Sequence, residues 1–224
     1  MGWRDCTRLV VVLPLLLVGG CDMPSWFDFD DENHGWRAQS EKRCLAKGLV
    51  RANAYVQPLS PINGNGACGI GQPFMVNASL EGDVWLDPGA TLDCTMTAAL
   101  DRWLVEAVQP AAYRHFGVPV IGAKVLGSYS CRTRNGIKGA KISEHAFGNA
   151  IDIASFMLAG GRWVAVKSGW RGASAERAFW RDIHSAACKR FFTVLSPDAD
   201  SFHRDHLHLD LARHNRDGSY RYCK

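Results

Sequence analysis

Nothing in the 224 residues approaches the roughly 20 consecutive apolar side chains that a membrane-spanning helix needs; the longest such stretch, residues 9–18, falls well short. No block of like charge is dense enough to mark a nucleic-acid surface, no internal repeat is visible, and no two cysteines form a CxxC pair. These absences exclude a multi-pass membrane protein, argue against a nucleic-acid partner and leave no thiolate cage spelled out. What is present, 47% hydrophobic and 21% charged residues with a formal charge of +4, excludes disorder, collagen and coiled coil. The length allows one domain of about 150 to 200 residues and some extra segment.

The extra segment is N-terminal. Arg4 and Arg8 precede the apolar stretch, which ends in Gly19 and Gly20, the layout of an export signal. Cys21 follows at once, and VGGC resembles the lipobox of a bacterial lipoprotein. Residues 1–20 are then a signal peptide, and cleavage leaves Cys21 carrying lipid that holds the protein on a membrane, each buried methylene worth about 0.8 kcal/mol. The expected location is periplasmic, as a membrane-anchored lipoprotein of the cell envelope. Between Asp22 and Trp36 stand five acidic residues, no lysine or arginine and no apolar periodicity. Residues 21–43 therefore read as an acidic tether, with the domain spanning 44–224. Residues 37–224 hold 24 basic and 16 acidic side chains, about +8, a sign compatible with the free carboxylates of peptidoglycan stem peptides and equally with an ordinary solvated surface.

Loss of Cys6 with the signal and of Cys21 to lipid leaves Cys44, Cys68, Cys94, Cys131, Cys188 and Cys223. An even set in an oxidising compartment reads as three disulfides. Six cysteines permit about 15 pairings; joining Cys188 to Cys223 would close the C-terminal third and stabilise it by roughly 3 to 4 kcal/mol.

Residues 44–92 are rich in Gly, Pro and Asn, including PINGNGACG and DPGA, and read as short strands and loops. A helix is expected from about Asp93 to Phe116, bent or divided at Pro110 and stopped by Gly117. An interrupted strand follows over 118–129, and a second helix over 175–190 with Ser174 as its cap. AIDIASF (150–156) and HLHLDLA (206–212) read as strands. The expected fold class is α+β: a small antiparallel sheet carrying the site, covered by helices and stabilised by disulfides.

Those last two strands carry the chemistry. Successive side chains alternate, so Leu207, Leu209 and Leu211 face one side while His206, His208 and Asp210 face the other. Asp152 is likewise aimed away from Ile151 and Ile153. His145 stands seven residues before Asp152, and HRDHLH adds His203 and Asp205. Catalytic zinc takes three N and O ligands and keeps a fourth position open.

At these residues the chain resembles the zinc D-Ala-D-Ala carboxypeptidase superfamily, which also contains murein endopeptidases, D-Ala-D-Ala dipeptidases and the hedgehog signalling domain. Its pattern, SxHxxGxAxD followed by HxH or ExxH, is filled by Ser143, His145, Gly148, Ala150 and Asp152, then by His206 and His208. More narrowly, the run from GSYSCR through SEHAFGNAIDIA to HRDHLHLD resembles the bacterial extensin-like C-terminal domain family over nearly all of residues 44–223. The family name does not make this a structural wall protein, because plant extensins are built on Ser-(Pro)4 repeats and none occurs among the nine prolines.

The resemblance implies that His145, Asp152 and His208 bind one Zn2+ ion. It implies Asp205 as general base, with His206 sharing or replacing that role, and His203 as a stabiliser of the tetrahedral intermediate. Arg132, or Arg134, would meet a substrate carboxylate or the developing oxyanion, although the spacing departs from the SGYRS-like segment of relatives. Ser143 and Asn135 would shape the site, and Asp210 would either orient a ligand histidine or face solvent. The implied function is a zinc peptidase hydrolysing amide bonds in peptidoglycan stem peptides or cross-links, with endopeptidase and carboxypeptidase action both open. The other class of function is a non-catalytic wall-binding or scaffolding lipoprotein that keeps the fold.

Overall fold

The computed structural model of the protein describes residues 31–215 and 217–224, with side chains from Gly35 onward. The expected signal peptide, Cys21 and the first part of the expected tether lie outside those residues. Among the described residues, no helix is long and apolar enough to cross a membrane.

The first described element is α1 (Asp31–Ala46), so the segment expected as tether up to residue 43 is helical from Asp31. Amphipathicity does not explain the helix, whose apolar residues follow no stripe. Arg43 in the last turn complements the helix dipole. Cys44, buried and bonded to Cys94, fixes the helix to the domain. A helix without its own apolar face depends on such tertiary contacts.

Five short strands follow: β1 (Val56–Pro58), β2 (Ile62–Asn63), β3 (Gly69–Ile70), β4 (Phe74–Ser79) and β5 (Val84–Leu92). DPGA, which signals a loop in the sequence, lies inside β5. The β4–β5 register skips between Val76 and Ala78, so Pro88, which has no N–H to give, sits where no ladder bond to β4 is needed. The expected long helix is two helices, α2 (Cys94–Trp103) and α3 (Gln109–Phe116), joined by a π turn over Leu104–Val108. Asp93 caps α2 by accepting from the Met96 amide at 2.6 Å. Pro110 cannot donate back into the helix, and the ladder widens just before it. Gly117, at φ 74°, ends α3.

Then come β6 (Val120–Gly127), β7 (Ala150–Leu158), β8 (Trp163–Ala165), α4 (Val166–Gly169), α5 (Ser174–Arg190), β9 (Thr193–Leu195), β10 (Leu207–Asp210) and β11 (Tyr222–Cys223). Ser174 is the first residue of α5 and not its cap; Ala173 holds that position and supplies no side-chain bond.

The fold class is α+β, but the sheet is larger and less uniform than expected. Nine strands run in the order β1-β4-β5-β6-β7-β10-β9-β11, with β8 beside β7. Most pairs are antiparallel; β5–β6 and β9–β11 are parallel. The glycine- and proline-rich first third enlarges the sheet because β1, β4 and β5 add to it through strands too short and interrupted to show a clear alternation.

Helices α2, α3 and α5 cover one face, where Trp103, Phe156, Phe179, Trp180 and Phe191 are fully buried. Burial of each such side chain contributes roughly 1.5–3 kcal/mol. Ile151, Ile153, Leu207 and Leu209 belong to this core, so alternation presents Asp152, His208 and Asp210 on the opposite face. The disulfides are Cys44–Cys94, Cys68–Cys131 and Cys188–Cys223.

Candidate metal centre

The antiparallel register of β7 and β10 sets His208 directly opposite Asp152, a pairing that brings Cβ atoms to about 5 Å. His145 arrives from a 3-10 turn, Glu144–Phe147, which Gly148 closes with φ 62° just before β7 begins. A Cβ on Gly148 would stand 2.4 Å from the Ile70 side chain as well as straining the backbone, which accounts for the motif glycine. On the other side of β7, Gly127 of β6 pairs with Asp152. A Cβ there would lie 2.5 Å from Asp152 Oδ2 and 3.3 Å from His145 Cε1, so only glycine leaves room for both ligands.

The three expected ligands converge. His145 Nε2 is 3.2 Å from His208 Nδ1 and 3.1 Å from Asp152 Oδ2, and His208 Nδ1 is 2.9 Å from Asp152 Oδ1. All three side chains are buried. Their outer nitrogens are already committed: His145 Nδ1 donates to the Ser128 carbonyl at 2.6 Å and His208 Nε2 donates to Asp210 Oδ2 at 3.0 Å. In the neutral rings this leaves lone pairs on His145 Nε2 and His208 Nδ1, both beside the Asp152 carboxylate. Three acceptors so close together require a cation among them.

A tetrahedral zinc with N and O ligands at its usual bond lengths has ligand–ligand edges of about 3.3 Å, and the observed separations lie within a few tenths of that. The donor set, its spacing and the outer hydrogen bonds fit such an ion. In the metal-free protein a proton meets the same need. Burial alone would lower the His208 pKa, but its hydrogen bonds to Asp152 and Asp210 and their charges outweigh burial and raise it to about 10. Asp152 shifts the other way: burial opposes ionisation, and the bonds from His145 and His208 overcome it, holding the carboxyl well below its usual range.

The centre forms the floor of a cavity of about 630 Å³, an ordinary size for a ligand site. His203 and His206 line it beside the ligands. Asp205 does not line it. Its side chain is 53% exposed and accepts from His206 Nδ1 at 2.8 Å, while His206 Nε2 reaches 3.8 Å from Asp152 Oδ1. The ring, with the carboxylate behind it, thus faces the centre. His203 is buried, its Nδ1 held by Asp200 Oδ1 at 2.7 Å; burial lowers its pKa more than Asp200 raises it, which favours the neutral ring.

Arg132, Arg134, Asn135 and Ser143 all line the cavity. The arginine segment is held by the Cys68–Cys131 disulfide and by the Ser143 amide donating to the Arg132 carbonyl at 3.0 Å. Asp210 is buried with both oxygens engaged, by His208 and by the Ala212 amide at 2.9 Å. Of its two expected positions, it takes the one behind His208 and does not face solvent.

A family model described as Extensin-like protein C-terminus matches residues 42–224. The chain belongs to that family. No curated protein and no solved structure matches it. In this extensin-like domain, residues 42–46 of α1 and every side chain lining the cavity fall inside the match, whereas residues 31–41 precede it.

Sequence reasoning missed several residues that build the site. Gly127 and Ser128 are the first letters of GSYSCR, and Glu144 and Asn149 lie within SEHAFGNA, so their segments are marked while their individual parts are not. Arg37, which pairs with Glu144, carries no local signal at all. A further His/Cys group, His184 with Cys188 and Cys223, has both sulfurs joined in a disulfide and therefore offers no thiolate.

Proposed function

We propose that the protein is a zinc-dependent peptidase that hydrolyses amide bonds in peptidoglycan stem peptides or cross-links, within the D-Ala-D-Ala carboxypeptidase and murein endopeptidase superfamily. The observation that supports it is the meeting of His145 Nε2, His208 Nδ1 and the Asp152 carboxylate at the floor of an open cavity, with outer hydrogen bonds that leave their lone pairs for a cation. The superfamily and the substrate class rest on the resemblance of the SxHxxGxAxD and HxH segments.

His145, Asp152 and His208 would hold the ion, which when bound supplies Lewis-acid polarisation of water and of a substrate carbonyl. His206, held at Nδ1 by Asp205, presents Nε2 to the cavity and can take a proton from an attacking water and return it to the leaving amine. Asp205 then acts through His206 by orienting the ring. This departs from the expectation that ranked Asp205 first as the base. His203, fixed by Asp200, lines the same cavity and would be placed to stabilise charge developing on a bound substrate. Arg132 and Arg134 give the wall a positive charge suited to a substrate carboxylate. An export signal and lipid on Cys21 would place the domain on the periplasmic side of a membrane, within reach of the wall.

The test is metal content of the purified protein together with digestion of muropeptides by wild type, His208→Ala and Asp205→Ala. The expected result is one zinc per chain and amide cleavage in the wild type, both lost in His208→Ala, with zinc kept and turnover reduced in Asp205→Ala. A zinc-containing wild type that turns over no stem peptide or cross-link would overturn the hydrolase and favour a wall-binding domain.

A further inference from the structure

Helix α1 is tied to the domain at two places. At its C-terminal end Cys44 is bonded to Cys94. Toward its N-terminal end Arg37 reaches the turn that carries His145, 107 positions away. Arg37 Nε donates to Glu144 Oε2 at 3.1 Å and a second guanidinium nitrogen pairs with Oε1, a two-pronged contact with a carboxylate only 4% exposed. The guanidinium carbon lies 4.1 Å from the Phe147 ring centroid and 4.6 Å from that of Trp36.

Glu144 is adjacent to His145. It also accepts from Asn149 Nδ2 at 2.6 Å, and the Asn149 carbonyl accepts from the Leu211 amide at 3.3 Å, next to Asp210. Trp36 in turn faces Arg213, whose guanidinium lies 5.2 Å from the ring. The neighbouring His214 lines the cavity and bonds Thr193 at 2.8 Å. Two residues of one helix thus touch both chain segments that present the ligands. These residues precede the family match, which starts at residue 42.

We propose that Trp36 and Arg37 are positioning residues for the metal centre: Arg37 neutralises the buried Glu144 and so fixes the turn that presents His145, while Trp36 steadies the segment that follows Asp210. The chemistry is that of a buried charge. With its cation removed, a desolvated carboxylate must find water or move, and the turn that carries it moves too. The inference rests on the reading of His145, Asp152 and His208 as metal ligands.

The experiment uses the full chain and compares wild type with Arg37→Ala, Arg37→Lys, Trp36→Ala and the double variant Arg37→Ala/Glu144→Gln. Arg114→Ala, which breaks an exposed pair with Asp182, serves as control. Zinc affinity is read by chelator competition, and amide hydrogen exchange is read on the metal-free protein. Arg37→Ala should bind zinc about 10- to 100-fold more weakly and exchange faster at residues 143–149, with other regions unchanged. Trp36→Ala should exchange faster at 211–215. Arg37→Lys should recover part of the affinity. The double variant, which leaves no unpaired charge, should recover most of it, a rescue that a merely structural arginine would not show.

Wild-type affinity and wild-type exchange in Arg37→Ala would overturn the inference while leaving the metal centre standing. A wild type that binds zinc no better than His145→Ala would sink the metal reading instead, and the clamp is then judged on exchange at 143–149 alone, unchanged rates overturning it.

Discussion

Replacing Asp210 with asparagine removes one acceptor from behind His208 and changes almost no volume. In the native protein Oδ2 takes the proton of His208 Nε2 at 3.0 Å while Oδ1 takes that of the Ala212 amide at 2.9 Å. Asparagine has one carbonyl oxygen. If it stays with Ala212, the new NH2 meets His208 Nε2 and favours the tautomer that carries its proton on Nδ1, the atom aimed at Asp152 and His145. If it turns to His208, the Ala212 amide is left facing a donor. Either way a charge-assisted bond worth about 1.5–3 kcal/mol is lost. Loss of such an outer partner weakens metal binding about 10- to 100-fold, equivalent to ~1.4–2.7 kcal/mol, so the two estimates agree. In the metal-free protein the sign follows from His208, whose pKa stands at about 10 when folded against an ordinary value of 6.5. Stability from that pairing is complete between the ordinary carboxyl value of 3.8 and pH 6.5, is lost as pH rises through about 10, and is lost again in stronger acid, because His208 holds Asp210 below its ordinary value. The stability deficit of Asp210→Asn should therefore be largest between pH 3.8 and 6.5 and shrink both toward pH 10 and in stronger acid. The assays are zinc competition against a chromophoric chelator and urea unfolding at several pH values. Zinc affinity within about twofold of wild type, well inside the smallest loss expected, would refute the claim that Asp210 sets the tautomer of a ligand.

Three more outcomes are expected. Gly127→Ala should fold but lose zinc binding, because its Cβ would lie 2.5 Å from Asp152 Oδ2; normal metal content would show that β6 can back away. His206→Ala should remove nearly all turnover with zinc retained, whereas Asp205→Asn should lower kcat by a smaller factor; equal losses would mean that Asp205 itself handles the proton. For Asp93, burial raises the pKa to about 7, with Glu41 and Glu144 adding to the rise and the Met96 and Thr95 bonds opposing it. An acid shifted upward stabilises the fold below its unfolded value of 3.8, and that stability disappears as pH climbs through 7, ~4 kcal/mol in all. Asp93→Asn should flatten this decline between pH 4 and 8, and an unchanged urea midpoint profile would discount the buried carboxyl.

Much of the site was legible because strands alternate. The sequence around Asp152 and His208 assigns each side chain to a face without reference to the rest of the fold, and Cys188–Cys223 was a sensible closure on chain length alone. Asp205 shows where such reasoning stops. It sits in the turn before β10, where no period governs direction, and its side chain points out behind His206. Ser174 and the strand containing Pro88 show the same limit at element ends and bulges, where one residue of offset reverses an assignment.

The amino-acid order by itself determined which residues could ligate an ion, which faces of β7 and β10 they share, and that six cysteines remain for pairing, since each follows from local periodicity or from counting. Tertiary structure decided the partners: His208 opposite Asp152, Gly127 beside Asp152 and His145, Asp210 behind the His208 ring, and Arg37 beside Glu144. Those contacts join positions tens of residues apart, and their energies depend on burial and register, quantities that exist only after the chain has packed.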